Sequence, residues 1–174
     1  CERVIQWQME KPKESSEVSY SVFLLGNSGK AYAHDSLLSL LDEQLKEAGK
    51  NSAILFLGNQ VHPHGLPDST EKSWDVGLDS LMAQLNILKD YKGEIVFIPG
   101  IHDWAGGKKD GLDYVKNQRK FVEDYLDQNK VFLPKKGRPV PEEVHLSEDI
   151  VLILIDSYWW FNEEDKSYAG ILDE

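Results

Sequence analysis

Ile95-Val96-Phe97-Ile98-Pro99-Gly100-Ile101-His102-Asp103-Trp104 reads as a short apolar run that breaks at a proline and a glycine. Two upstream stretches rhyme with it. Val22-Phe23-Leu24-Leu25 runs into Gly26-Asn27-Ser28-Gly29, and Ile54-Leu55-Phe56-Leu57 runs into Gly58-Asn59-Gln60. Each run is rich in β-branched or aromatic residues and is stopped by glycine. Buried strands of a parallel sheet have this form, ending in loops at the carboxyl edge. Function in α/β proteins gathers at that edge.

Working outward, the segments between the runs carry helical spacing. Residues 35–48 place Leu37, Leu38, Leu41, Leu45 and Ala48 on one face. Asp35 or Ser36 can cap that helix and Gly49 can end it. Residues 74–90 repeat the pattern with Leu78, Leu81, Leu85 and Leu88, and residues 111–129 with Leu112, Val115, Val122, Tyr125 and Leu126. Strands are predicted over 20–25, 53–57, 94–98 and 150–155. The last is the most apolar and is expected at the centre of the sheet. Residues 131–145 hold three prolines and the basic run Lys135-Lys136-Gly137-Arg138, which predicts an exposed connection or hairpin arm. Strands alternating with helices predict an α/β fold with a largely parallel sheet.

A chain of 174 residues with 41% hydrophobic and 28% charged residues suits one folded domain with a real core. The formal charge of -11 disfavours duplex nucleic acid, which is gripped through Lys and Arg on phosphates. No run reaches the roughly 18 to 20 apolar residues of a membrane span. The single cysteine, Cys1, excludes an internal disulfide and a cysteine zinc site. A leading cysteine resembles the mature end of a bacterial lipoprotein, where that residue carries the lipid. Residues 8–19 are polar, hold Pro12 and lack an apolar period, as a flexible tether would. The expected organisation is therefore a tether over residues 1–19, lipidated at Cys1, and a domain over 20–174.

Four phrases in order carry a family likeness: Gly-Asn-Ser-Gly, Gly-Asn-Gln-Val-His, Pro-Gly-Ile-His-Asp-Trp and Ile-Asp-Ser-Tyr-Trp-Trp. They resemble the motifs of the calcineurin-like metallophosphoesterases, in the branch with the purple acid phosphatases. That family writes Gly-Asp-x-Gly, Gly-Asp-Asn-x-Tyr and Gly-Asn-His-Asp, followed by histidine motifs. The resemblance implies a sandwich of two mixed β-sheets flanked by helices. It also implies two divalent metals, Mn, Fe or Zn, which activate a water for attack on a phosphoester.

Transferred position by position, the likeness gives a degenerate site. Asn27 stands for the aspartate of the first metal and Asn59 for the bridging aspartate. His62 stands for a tyrosine ligand and Ile101 for a ligand asparagine. His102 and Asp103 keep the family's identities, with His102 assisting the phosphate or leaving group and Asp103 orienting its imidazole. The downstream ligand histidines have no counterpart, since His34, His64 and His145 lie in no Gly-His or His-x-His phrase of that kind. An asparagine carbonyl can bind one metal without neutralising it, and its NH₂ cannot coordinate. Ile101 offers no lone pair. No bound metal is therefore expected.

Three functions remain open from the residues. The first is an interaction or scaffold module with a protein partner in an outer-membrane complex of a bacterial envelope, touching the membrane only through its lipid. The second is a surviving phosphoesterase with a reduced metal site and His102 as its acid. The third is a metal-free binder of a phosphorylated ligand through Asn27, Asn59 and His102. His62 and His64 flank Pro63 and read as an exposed turn rather than a chelate. Gly26-Asn27-Ser28-Gly29-Lys30 lacks the glycine and hydroxyl spacing of a phosphate loop. Asp156-Ser157 reads as structural, and Trp159, Trp160 and Phe161 as packing residues.

Overall fold

A computed structural model describes residues 18–32, 35–133 and 141–161. Residues 1–17, which hold Cys1 and most of the expected tether, and the basic run Lys135–Arg138 lie outside the described residues. The chain forms a mixed α/β structure in the order β1 (Ser21–Leu25), α1 (Ser36–Ala48), β2 (Ser52–Leu57), α2 (Trp74–Asn86), β3 (Glu94–Ile98), α3 (Gly111–Leu126), β4 (Glu142–His145), β5 (Val151–Leu154) and α4 (Ser157–Phe161). The first three strands make a parallel sheet in the order β1-β2-β3, with Phe23 beside Ile54 and Ile54 beside Ile95.

Local signals set the helix ends. The Asp35 carboxylate accepts the N–H groups of Leu37 at 2.9 Å and Leu38 at 3.4 Å, so α1 starts where a cap was expected. Gly49 takes a positive φ of 65° and closes it. Helices α2 and α3 stop earlier than their apolar periods. After Asn86 the chain tightens into turns, with Leu88 N–H on Leu85 O, and Asp127 turns left-handed at φ 51° to end α3.

The middle strand β2 is covered on both faces, which is why it shows no polar alternation, while β1 leaves Val22 and Leu24 exposed on one side. On one face Ile54, Phe56, Ile95 and Phe97 pack with Leu38, Leu45, Leu81, Leu85, Val115 and Val122 of the helices. Phe56 and Phe97 stack with ring centroids 4.2 Å apart. On the other face Ala53, Leu55 and Val96 meet Leu133 and Leu154.

Two expectations are corrected. The run at 150–155 is not central. Its strand β5 pairs antiparallel with β4 alone, in a separate two-stranded sheet. Leu152 and Leu154 turn inward, while Val151 and Ile153 are 45% and 67% exposed. An all-apolar strand was read as buried on both sides, but only one side has a cover. The stretch 131–145 is likewise not exposed throughout. Val131, Phe132 and Leu133 are buried, and they continue the parallel sheet beyond β3. Phe97 N–H donates to Val131 O at 2.6 Å, and Leu133 N–H to Phe97 O at 2.8 Å. His145 sits in β4 with an exposed side chain.

Candidate functional site

Parallel strands end together, so the three loops after β1, β2 and β3 meet at one edge. Asn27 N–H donates to Gly58 O at 3.0 Å. Gly58 has φ 93°, and a Cβ there would lie 2.8 Å from Gly100 Cα, so the second and third loops touch through bare backbone. Asn27 and Asn59 both adopt left-handed φ, at 57° and 59°, which asparagine tolerates better than most side chains.

Asp103 is the hub of this edge. It is fully buried, and its carboxylate accepts four backbone N–H groups. Asn59 N–H and Gly100 N–H reach Oδ2 at 2.6 and 2.8 Å, while Gln60 N–H and Val61 N–H reach Oδ1 at 3.1 and 3.2 Å. Burial pushes the carboxyl up to about 6, and the backbone donors of Gly100, Val61 and Asn59 pull against that. The expectation that Asp103 orients the His102 ring is corrected, because both oxygens are spent on the loops. The ring is held instead by Pro63 O, 2.8 Å from Nδ1. A carbonyl only accepts, so Nδ1 carries a proton toward it.

The two asparagines are tied to each other and to the third loop. Asn59 Oδ1 accepts His102 N–H at 3.0 Å, which fixes the amide orientation, and Nδ2 then points to Asn27 Oδ1 at 3.5 Å. Ile101 projects to solvent at 45% exposure. With Leu57, Ile98, Ile155, Tyr158 and Asn59 it lines a groove of about 480 Å³. Burial lowers the His62 pKa below the usual histidine value, helped by the neighbouring His102, Lys30 and His64. The His62 and His102 rings sit edge to face, 4.3 Å between centroids. His64 is exposed on the same turn.

Beneath the loops lies a buried polar frame that was not anticipated. Gln60, Gln84 and Gln118 are each 0% exposed. Gln60 Nε2 donates to Ile98 O at 2.9 Å and Phe56 O at 3.2 Å, and its Oε1 accepts Gln118 Nε2 at 3.1 Å. Gln84 Nε2 donates to Gln60 O at 2.8 Å, and its Oε1 accepts the Ser28 hydroxyl at 2.7 Å. The signal was present: Gln84 and Gln118 fall inside the apolar stripes of α2 and α3. Asp156 is likewise buried and structural, accepting Trp104 Nε1–H at 2.8 Å and Trp159 N–H at 3.1 Å. Burial pushes its carboxyl up to about 6.

Among the described residues, no three His, Cys, Asp or Glu side chains gather closely enough to hold a metal ion. No described helix is long and apolar enough to cross a membrane. No family model, curated protein or solved structure matches this chain.

Proposed function

We propose that this chain is a calcineurin-like phosphoesterase domain that has lost its catalytic centre and works as an interaction module, tethered to a bacterial envelope membrane through Cys1 and partnered with an outer-membrane complex. One observation carries the reading: the amides of Asn27 and Asn59 are turned on each other and on the His102 backbone at the edge where a bridging carboxylate would be needed. Neither amide brings charge, and Ile101 brings no donor atom. Two dications held close together need anionic ligands to offset their repulsion. The residues present do not fit such a pair, and no reaction step is assigned to one. The apolar groove formed by Ile101, Leu57 and Ile155 supports the second half of the reading, since exposed contiguous apolar side chains favour a protein surface over a phosphate.

The test is metal content. The purified chain is incubated with Mn²⁺, Zn²⁺ and Fe²⁺, desalted and analysed by mass spectrometry, and is assayed in parallel on an aryl phosphate. The reading expects no retained ion and no turnover. A stoichiometric ion together with turnover abolished by His102→Ala would establish a phosphoesterase instead. The anchor is tested separately, by the intact mass of the membrane-fraction protein and its shift in a Cys1→Ser variant.

A further inference from the structure

Strand β1 ends the parallel sheet, and among the described residues no strand lies beyond it. Its backbone is nonetheless set to pair. Ser21 N–H donates to Asn51 O at 3.1 Å and Asn27 N–H to Gly58 O at 3.0 Å, so alternate residues from Ser21 onward bond toward β2. Val22 and Leu24 therefore turn their N–H and C=O groups away from the sheet. Natural edges of this kind are guarded by lysine, proline or a bulge. This one is not: residues 18–29 hold no charged residue and no proline, and the register with β2 runs without a bulge.

Both sides of that edge are apolar. On one face Val22 and Leu24 are 40% and 64% exposed. On the other, the β1–α1–β2 connection seats α1 over that strand pair, with Leu38 and Leu45 in one core with Phe23, Ile54 and Phe56. Asp42 and Lys46 line a small pocket with Asn86, Ile87 and Tyr91, which marks the flank of α1 that faces α2. The opposite flank, on the side of the free edge, carries Leu37, Leu40, Leu41, Gln44 and Ala48, without a charge. Leu37 and Leu40 are each 56% exposed. An edge apolar on both faces has the surface of an inner strand.

We propose that a second copy of this chain closes the edge, the two β1 strands running antiparallel about a two-fold axis at Phe23. Val22 then lies opposite Leu24 of the second copy, and each such pair exchanges N–H···O bonds. With strands about 4.8 Å apart and each α1 over its own strand pair, the two α1 helices stand about 10 Å apart, where the Leu37 and Leu40 rows can pack. Two chains of net charge -11 repel, and this seam lets them meet without bringing a charged side chain into contact. The inference goes beyond the function proposed above and does not depend on whether the loops hold a metal.

The full chain carrying Cys1→Ser is followed by sedimentation equilibrium from high to low micromolar concentration. A reversible dimer is expected. Leu24→Lys and Leu40→Lys should each weaken it about tenfold or more, and Val76→Lys, at an exposed apolar position on α2, should leave it unchanged. Added lysines lower the net repulsion between acidic chains, so a loss of dimer reports the seam itself. Register is read by cross-linking in the same background. Opposed residues of a bonded antiparallel pair have Cα atoms about 5.5 Å apart, within reach of a disulfide. Val22→Cys mixed with Leu24→Cys should therefore cross-link in a glutathione buffer, while either alone should not, since like positions lie beyond about 7 Å. A monomer at every concentration overturns the proposal. So does a dimer that Leu24→Lys and Leu40→Lys leave intact, or one that Val76→Lys weakens equally.

Discussion

Asp103 and Asn59 sit on loops that touch, yet the two positions carry different chemistry. Asp103 keeps a carboxylate where it is fully buried, and Asn59 presents an amide at the open edge. The buried charge is held because four backbone N–H groups converge on it and nothing else nearby can accept them all. The open position meets a smaller internal demand, the single His102 N–H that Asn59 Oδ1 accepts at 3.0 Å, and a neutral amide oxygen satisfies it without a charge. An acidic residue at a strand end is thus by itself no measure of catalysis: Asp103 is part of the scaffold.

The sharpest way to break the comparison is Asp103→Asn. Each carboxylate oxygen takes two N–H groups, so either orientation of the new amide aims its NH₂ at two donors. Leaving two buried donors unpaired costs about 1 to 3 kcal/mol each, so a loss of roughly 3 to 5 kcal/mol is expected in urea unfolding. A loss below about 1 kcal/mol would mean that the loops find other partners, and that the hub is not the organising contact.

Acid provides the next effect in size. Burial raises both Asp103 and Asp156 to about 6 from the ordinary 3.8. Between those values the native chain holds protons that the unfolded chain has released. Stability from such a group is therefore full below pH 3.8 and is lost as pH rises through 6. The four N–H groups on Asp103 leave no oxygen free for a proton, so the dependence is assigned chiefly to Asp156. A shift of this size corresponds to about 3 kcal/mol across the window. Unfolding free energy should rise on going from pH 7 toward pH 5, and Asp156→Asn should flatten the slope. A parent profile that is flat, or that falls with acid over this range, would show that Asp156 is already ionised throughout.

How much of this could be read from the chain alone depended on which physical constraint set each residue. The three glycine-stopped runs gave the parallel strands and placed Asn27, Asn59 and His102 at one edge, because a buried parallel strand leaves a period-free apolar signature. Residues 131–133 escaped notice because Val-Phe-Leu is too short to signal a strand and is flanked by prolines and charge. Val151 and Ile153 misled in the other direction, since apolarity reports the tendency to be buried and not the presence of a cover. The role of Asp103 was carried over from the family resemblance, which pairs it with the His102 ring, while the geometry of the turn aims the carboxylate back at the second loop. Gln84 and Gln118 were visible as polar interruptions of apolar stripes, but Gln60 lies in a loop, and only three-dimensional packing joins the three into one frame.

The smallest expected effect sharpens the contrast from the open side. Asn27→Ala removes a side chain whose one hydrogen bond, 3.5 Å from Asn59 Nδ2, is long and lies at an exposed site. The backbone bond from Asn27 N–H to Gly58 O survives the change. The remaining cost is that of placing alanine at a positive φ, about 1 kcal/mol or a little more. Asn27→Gly separates the two contributions, because glycine keeps the left-handed backbone without strain and lacks the amide. Asn27→Gly should therefore match the parent within about 0.5 kcal/mol in urea unfolding, while Asn27→Ala falls below both. If glycine instead costs as much as alanine, the Asn27 amide contributes to folding as Asp103 does, and the two sides of this edge are one scaffold.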